Sequence, residues 1–504
     1  MKTHLSSFVS AHRTRRTLSL SLLALSLAGC ALSPEGKAPD MPAPVHYGVT
    51  PMPAQSATAL GVAQAFDAAA VPAADWWTLF GSPELDALVR EGLSNSPDLA
   101  AADRNLAAAR EQLRSQIGES LLPSIDAGTQ VDRQDALIMP TAQPPTMLYN
   151  TFVGQLRAQY TFDLFGAARY ANAALAARVD QQTHRLEASR RALAANIVTG
   201  AIRSAALARQ VELTARQVEL SRQVAQDARR RFELGSTSQQ EALDADQNAS
   251  DLAASLPGLR SQWQATRHAL AVLLGRTPDQ APPDLEINRI SVPPHVPVSV
   301  PSQLLANRMD VQAAAAALEG TAADVGARTA QMLPSLSLSA SMGRGGFDWP
   351  TALSGSGGLI WSIGAGLTQP IFHGGALRAQ RRAAIETYEG AVETYRQTVL
   401  AAFRNVADSL AALEADNEAL AAAEAARLAA EQSFSNTMRR VELGALPGYQ
   451  GRAAEQHYIQ ALLRELNYAS TRLADTATLF HAMGGSPRPK PTAQAAQSAT
   501  GESL

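Results

Sequence analysis

The feature that most restricts the fold is a pair of very long helical segments. In residues 167–234, and again in residues 376–443, no proline occurs and no strand-like alternation interrupts the sequence. A segment of about 68 residues is roughly 100 Å long as an α-helix, whereas the average globular helix has about 11–12 residues. Each segment ends at a glycine, Gly235 or Gly444, which supplies the left-handed residue that commonly caps a helix. A second helix then runs back, so the sequence predicts two long helical hairpins.

Each hairpin belongs to one of two similar halves. Landmarks of the first half recur in the second half in the same order, at a spacing of roughly 210 residues, which indicates an internal repeat. The landmark pairs are Pro123 and Pro334, Phe162–Gly166 and Gln369–Gly374, and Arg231–Gly235 and Arg440–Gly444. The predicted divisions are a signal peptide 1–29, a lipidated N-terminal tether 30–72, a first repeat 73–277, a linker 278–301, a second repeat 302–485 and a disordered tail 486–504.

Each half also contains two stretches with a two-residue period, which predicts four β-strands per chain. Each stretch has about 9–13 residues, the length of a tilted membrane-spanning strand, with one apolar face and one small or polar face. The apolar positions include Ile125 and Val131, Phe152, Leu156 and Leu164, Leu336 and Leu338, and Leu359, Trp361 and Ile363. The alternative is a soluble sandwich of four strands whose polar face meets water.

Four strands cannot close into a barrel on their own. An open sheet edge in lipid leaves backbone groups unpaired at several kcal/mol each, and the smallest single-chain barrels have about eight strands. Two copies of the chain would give eight strands and a filled interior, whereas three would give twelve and room for a pore. The alanine-dense helices likewise need neighbours on both sides, as in the wall of a cylinder. A long two-stranded coiled coil would suit the helices alone but not the strands or the repeat.

The first thirty residues form a targeting segment. A basic start and a short apolar stretch end in Leu27-Ala28-Gly29-Cys30, which resembles the lipobox of bacterial lipoproteins. That resemblance implies cleavage before Cys30, the single cysteine of the chain, and a covalent lipid on its thiol. No apolar stretch of about 18 residues follows, so any membrane-spanning part must be a β-barrel. Residues 31–72 read as a poorly ordered tether, with order expected from Asp75 onward.

Nothing in the sequence points to catalysis. The formal net charge of −3 excludes a strongly basic nucleic-acid binder. The nine histidines lack metal-ligand spacing, and no phosphate-binding loop occurs. We therefore expect no enzyme activity, no catalytic residues, no metal site and no cofactor other than the lipid on Cys30.

A set of short motifs is spread from Trp76 to about Gly485. The motifs are Trp76-Trp77 with Phe80, Pro83, Leu85 and Leu88; Asn95, Asp98-Leu99, Arg104 and Ala109-Arg110; Phe162–Gly166; Arg231–Gly235; Leu270–Gly275; Leu304-Leu305, Arg308 and Asp310; and Gln369–Phe372 with Gly374-Gly375. Together they resemble the TolC-like outer-membrane factors, specifically the NodT-type efflux lipoproteins. The resemblance implies a homotrimer with a twelve-stranded barrel and a long periplasmic α-helical barrel. It also implies a passive outer-membrane duct that an inner-membrane pump of the RND type loads through a periplasmic adaptor.

The same resemblance implies functional residues at the hairpin tips. Family members meet the adaptor and constrict the channel there, which assigns these roles to Gly235, Ser236 and Thr237 and to Gly444, Ala445, Leu446 and Pro447. Just past the first tip, Glu241 and Asp244 hold the positions of a carboxylate gate that attracts cations. The matching second-tip positions are Gln450 and Ala453, so the usual gate is incomplete, and Glu455 is a substitute. The alternative for Glu241 and Asp244 is ordinary solvated helix charge. Arginines 229–231, 439 and 440 flank the tips and are expected to pair with nearby carboxylates.

Two other functions remain open from the sequence. A type I protein-secretion duct would have the same fold and differ in the pump that loads it. A non-channel structural periplasmic lipoprotein would lack a pore and become soluble once Cys30 is replaced.

Overall fold

The computed structural model describes residues 32–41, 44, 46–48, 54–68, 70–137, 146–298, 300–353 and 357–485. The predicted signal peptide, the predicted lipidation site Cys30 and the predicted tail 486–504 lie outside these residues. The helices are α1 (Pro83–Asn95), α2 (Pro97–Leu121), α3 (Ala167–Glu233), α4 (Gln239–Leu273), α5 (Pro301–Asn307), α6 (Met309–Ala330), α7 (Trp349–Leu353), α8 (Ala376–Glu442) and α9 (Gly448–Ala482). The strands are β1 (Ala65–Ala68), β2 (Ser124–Leu137), β3 (Thr146–Phe162), β4 (His295–Val298), β5 (Ser335–Gly346) and β6 (Gly358–Thr368).

The predicted fold class is confirmed by two long helical hairpins. Helices α3 and α8 have 67 residues each, and α4 and α9, which follow them, have 35 each. The limits of α3 and α8 fall within one residue of the segments 167–234 and 376–443 expected from the sequence. No helix among the described residues combines the length and the hydropathy needed to cross a membrane.

The four predicted strands form one antiparallel sheet in the order β2-β3-β5-β6. Its register aligns the alternating side chains of all four strands into rows across the sheet. One row contains Ala127, Leu156, Met342 and Trp361, and its neighbour on the opposite face contains Asp126, Arg157, Ser341 and Ser362. Trp361 is 69% exposed, so the apolar face is uncovered in the single chain.

The chain divides into two compact units. The first contains residues 1–39, 107–181 and 315–394, and its described part includes the four-stranded sheet. The second contains residues 40–106, 182–314 and 395–504, and its described part includes both hairpin tips. Three rings form an aromatic core in the second unit, where Trp76 stacks on Phe480 at 5.3 Å and Phe80 packs edge-on against both.

Order in the second unit begins earlier than the sequence suggests. Strand β1 lies within the predicted tether and pairs in parallel with β4, which lies within the predicted linker. Neither four-residue strand has a local pattern strong enough to identify it. Their pairing joins segments that are far apart in the chain, and such a contact cannot be read from either segment alone.

A buried arginine fixes the segment before β1. Arg472 on α9 is fully buried and donates hydrogen bonds to the carbonyl oxygens of Ala59 and Val62, both at 3.1 Å, and to Gln64 Oε1 at 3.2 Å. Between Ala59 and Val62 the chain makes a tight turn, with Leu60 at a left-handed φ of 50°. The Leu60 amide donates to Glu424 Oε2 on α8 at 2.7 Å. The turn is therefore bound to both α8 and α9.

A pair of carboxyl groups lies beside this arginine. Burial and the neighbouring carboxylate of Asp475 raise the pKa of Asp416 from its ordinary value of 3.8 to about 7, while Arg472 opposes the shift. Asp416 Oδ2 is buried without a hydrogen-bond donor among the described residues. A proton on one of the two carboxyl groups would supply that donor and join α8 to α9.

This pair predicts that the free energy of unfolding depends on pH. The folded chain retains the Asp416 proton up to about pH 7, whereas the unfolded chain releases it near 3.8, so stability falls as the pH rises between these values. Asp416→Asn mimics the protonated group and should remove this slope. Because the pair is only partly buried, we expect a gain on the order of 1 kcal/mol above pH 7. Thermal unfolding in detergent at pH 5 and pH 8 measures it.

The matched control is Asp408→Asn, which changes an exposed aspartate of the same helix. It should keep the pH slope of the parent chain. An unchanged slope in Asp416→Asn would contradict the assignment.

Candidate functional site at the hairpin tips

The two hairpin tips have the same backbone structure, as the internal repeat predicts. Gly235 and Gly444 both have a φ of 73°, a conformation that glycine adopts without strain. The next amide in each tip, of Ser236 or Ala445, donates to a carbonyl oxygen five residues back, at 2.8 and 2.9 Å respectively. These bonds satisfy carbonyl groups that the end of a helix leaves unpaired, so each tip is a tight, defined turn.

An apolar side chain projects from each tip at the equivalent position. Leu234 is 76% exposed and Leu443 is 78% exposed. Single exposed leucines are ordinary on protein surfaces. A leucine repeated beside the capping glycine of both tips is instead consistent with a surface that a partner covers.

The side chains that follow the turns differ between the tips. Ser238 caps α4 by accepting a hydrogen bond from the Glu241 amide at 3.1 Å. At the start of α9 the equivalent position is Pro447, which provides no side-chain cap. The first tip thus has a side-chain cap that the second lacks, and the second turn is held by the Ala445 and Leu446 amides, which both donate to the Arg440 carbonyl oxygen.

Arg231 connects the two tips. Its Nη2 lies 2.5 Å from Glu241 Oε1, and its guanidinium carbon lies 4.2 Å from the ring centre of Tyr449 in α9. The Thr237 hydroxyl also donates to Glu241. The hydrogen bond from Thr237, followed by that from Arg231, lowers the pKa of Glu241, so this carboxylate stays ionised and keeps its pairing with Arg231. Arg231 therefore joins a carboxylate on one hairpin to an aromatic ring on the other.

Further contacts place four helices side by side in the second unit, in the order α4-α3-α9-α8. Ion pairs and one stacked ring pair join neighbouring helices along the row. These contacts are Arg229–Asp246 at 2.7 Å between α3 and α4; Arg216–Glu455 at 2.7 Å and Asp227–Arg452 between α3 and α9; and Arg427–Glu465 at 2.9 Å and Phe434–Tyr458 at 5.7 Å between α8 and α9.

A glycine allows α9 to approach α8 near the second tip. A Cβ atom on Gly451 would lie 2.8 Å from Met438 Sδ and 3.5 Å from Val441 Cγ2. The first distance is below van der Waals contact, so a larger residue would push the helices apart.

The predicted gate residues lie in different surroundings. Glu241 belongs to the contact between the tips, whereas Asp244 accepts a hydrogen bond from Gln240 of its own helix at 2.7 Å. Glu455, considered as a substitute, is engaged by Arg216. Tyr449 was not identified from the sequence, because a single tyrosine after a glycine turn has no distinguishing pattern. No cluster of His, Cys, Asp or Glu side chains suited to a metal ion occurs in the described part of the chain.

Comparison with known proteins decides the family. The family model described as outer membrane efflux protein matches residues 88–276 and 300–485. The chain belongs to the outer membrane efflux protein family. It is 30% identical over 492 residues to the pyoverdine export outer membrane protein OpmQ of Pseudomonas putida, covering 93% of this chain and 97% of that protein. It is 24% identical over 404 residues to nodulation protein T of Rhizobium leguminosarum bv. trifolii, covering 79% and 82%.

Solved structures have the same fold. The Campylobacter jejuni CmeC outer membrane channel superposes with a TM-score of 0.77 at 20% identity, covering 93% of this chain and 98% of that chain. VceC of Vibrio cholerae gives 0.69 at 25% identity, covering 82% and 99%. The predicted resemblance to TolC-like factors is confirmed, as are the predicted function as an outer-membrane efflux channel and the predicted location in the outer membrane. The family consists of channel proteins rather than enzymes.

The contact between the tips predicts a measurable effect on channel conductance. Arg231→Gln removes both the ion pair with Glu241 and the contact with Tyr449, so we expect higher single-channel conductance in planar bilayers. We also expect cells that express it to become more sensitive to large antibiotics that normally stay outside. Arg229→Gln is the matched control, because it removes an ion pair within one hairpin only. Equal conductance of the two variants would exclude Arg231 as a link that holds the tips closed.

Proposed function

We propose that three copies of this chain form the exit duct of a tripartite efflux system. An inner-membrane pump of the RND type loads the duct through a periplasmic adaptor, and a lipid on Cys30 anchors each copy to the outer membrane. The observation that carries this proposal is the incomplete four-stranded sheet. Strands β2 and β6 each have only one partner strand among the described residues.

In lipid, unpaired strand edges leave backbone groups without hydrogen bonds at a cost of several kcal/mol each. Pairing β2 of one copy with β6 of the next removes every open edge. Three copies then give twelve strands in one closed sheet, wide enough to leave an aqueous passage. The polar row that contains Arg157 and Ser341 would face this passage, and the apolar row that contains Trp361 would face lipid.

The helices support the same arrangement. Helices α4 and α8 lie at the two ends of the row α4-α3-α9-α8, and both carry exposed apolar side chains. These are Leu243 and Val272 on α4 and Leu400 and Leu428 on α8. Packing α4 of one copy against α8 of the next would cover these residues and continue the wall.

The tips are the proposed contact with the adaptor and the proposed constriction of the passage. Leu234 and Leu443 offer apolar contacts, while Glu241 and Asp244 add negative charge near the opening. Relatives are named for the export of different solutes, including pyoverdine for OpmQ and antibiotics for the pump protein ArpC. We propose that the pump, rather than this chain, selects the solute, because relatives that match nearly the whole chain are named for such different solutes.

Purification in mild detergent tests the proposal. We expect a mass of three protomers, cation-selective conductance in planar bilayers, and a mature N-terminal peptide whose Cys30 carries acyl chains by mass spectrometry. Cys30→Ser should lose the acyl chains. A monomer without conductance would overturn the duct and favour a structural lipoprotein. A conducting trimer with unmodified Cys30 would overturn only the lipid anchor.

A further inference from the structure

The segment just after Cys30 lies against α6 in the first unit. Ser33 Oγ lies 3.1 Å from the Ala322 carbonyl oxygen and 2.7 Å from the Pro34 carbonyl oxygen, and its one proton is shared between the two acceptors. Gly36 has a left-handed φ of 64°, and a Cβ atom there would lie 3.1 Å from Ala322 Cβ and 3.5 Å from Glu319 Cα. The spacing of Glu319, Ala322 and Gly326 places them on one face of the helix. The segment therefore follows a single face of α6.

Gly326 makes room for this segment. A Cβ atom on Gly326 would lie 2.7 Å from the Tyr170 ring and 2.9 Å from Ser33 Cβ, closer than van der Waals contact allows. Glycine weakens a helix interior relative to alanine, so its presence here is explained by the close approach it permits. Ala322 is also buried.

The contacts give the segment a direction. From Gly36 to Ser33 the chain passes from Glu319 towards Gly326, and α6 then ends at Ala330 shortly before β5 begins. Three extended residues span about 10 Å, as do seven residues of helix, so the two lengths match. Cys30 precedes Ser33 by only three residues in the chain, and three residues span at most about 11 Å between Cα atoms.

The apolar face of the sheet begins close to the end of α6, where β5 starts. Its first row contains Phe162, Leu336 and Leu367. Close to it in the chain, Ile371 is 88% exposed and Phe372 is 84% exposed. A lipid attached near the end of α6 would thus join the protein where its apolar surface starts.

We infer that Glu319, Ala322, Gly326 and Tyr170 form a seat that binds the chain's own N-terminal segment at Ser33 and Gly36. The seat holds this segment in one register along α6. It thereby sets the position of the lipid beside the end of the sheet that contains Phe162, Leu336 and Leu367. This inference rests on the proposed lipidation of Cys30. An anchor held in the seat keeps the sheet close to the membrane. The effective concentration of the sheet at the membrane is therefore higher than with an anchor on a free tether.

Cross-linking in cells tests the register directly. In the double variant Ser33→Cys with Ala322→Cys, a short thiol-reactive linker should join the two positions in most molecules. The matched control pairs Ser33→Cys with Asp324→Cys, an exposed residue of the same helix that points away from Ala322. The control should cross-link severalfold less. Equal cross-linking of the two pairs, or none in either, would overturn the seat.

Labelling with radioactive palmitate is measured on the same variants. Label without the selective cross-link would overturn the seat alone, whereas the cross-link without label would overturn the proposed lipidation.

Substitution in the seat tests its consequence. Gly326→Val should displace the segment, weaken the cross-link and lower the yield of heat-resistant oligomer severalfold. The control is Gly118→Val on α2, where a Cβ atom meets no atom within 4 Å. In a Cys30→Ser background, which has no lipid to position, Gly326→Val should lower the yield no further. An equal loss in both backgrounds would show that Gly326 serves only the packing of α6 on Tyr170.

Discussion

The unpaired edges of the four-stranded sheet are the constraint on which the rest of the structure depends. A sheet in water can leave its edges to the solvent, but lipid offers no hydrogen bonds to the free N–H and C=O groups of β2 and β6. Among the described residues no further strand pairs with these edges, since β1 and β4 form a separate two-stranded sheet. The proposed assembly with other copies would pair them.

The long helices are held by contacts with one another. Helices α3 and α8 have 67 residues each, and both lie in the row α4-α3-α9-α8. Many contacts along the row are ion pairs with exposed members, each worth roughly 0–1 kcal/mol. Together these contacts keep the helices aligned along their axes, although only a few of them lie at any one position along a helix.

Periodic features were predictable from the sequence, and contacts between distant segments were not. The bounds of helix α3 and strand β5 were predicted closely because the periodic pattern of each element recurs along its whole length. The turn at Leu60 depends on Glu424 and on the buried Arg472. The sequence near Leu60 contains no pattern that predicts a contact with either residue. At the tips, Glu241 was identified because the family motif includes it. Tyr449 was missed because its role arises only where two hairpins meet.

The internal repeat duplicates the backbone of the tips but not their chemistry, and this difference matters for how they are joined. The first tip contributes a carboxylate, Glu241, and the second contributes an aromatic ring, Tyr449. One guanidinium, that of Arg231, can bind both at once because its edge donates hydrogen bonds while its flat face stacks on a ring. A lysine ammonium has no planar edge for paired hydrogen bonds and no flat face to stack on a ring. The second hairpin therefore needs no acidic residue at Gln450 or Ala453 to be held against the first, since the ring takes the place of the missing charge.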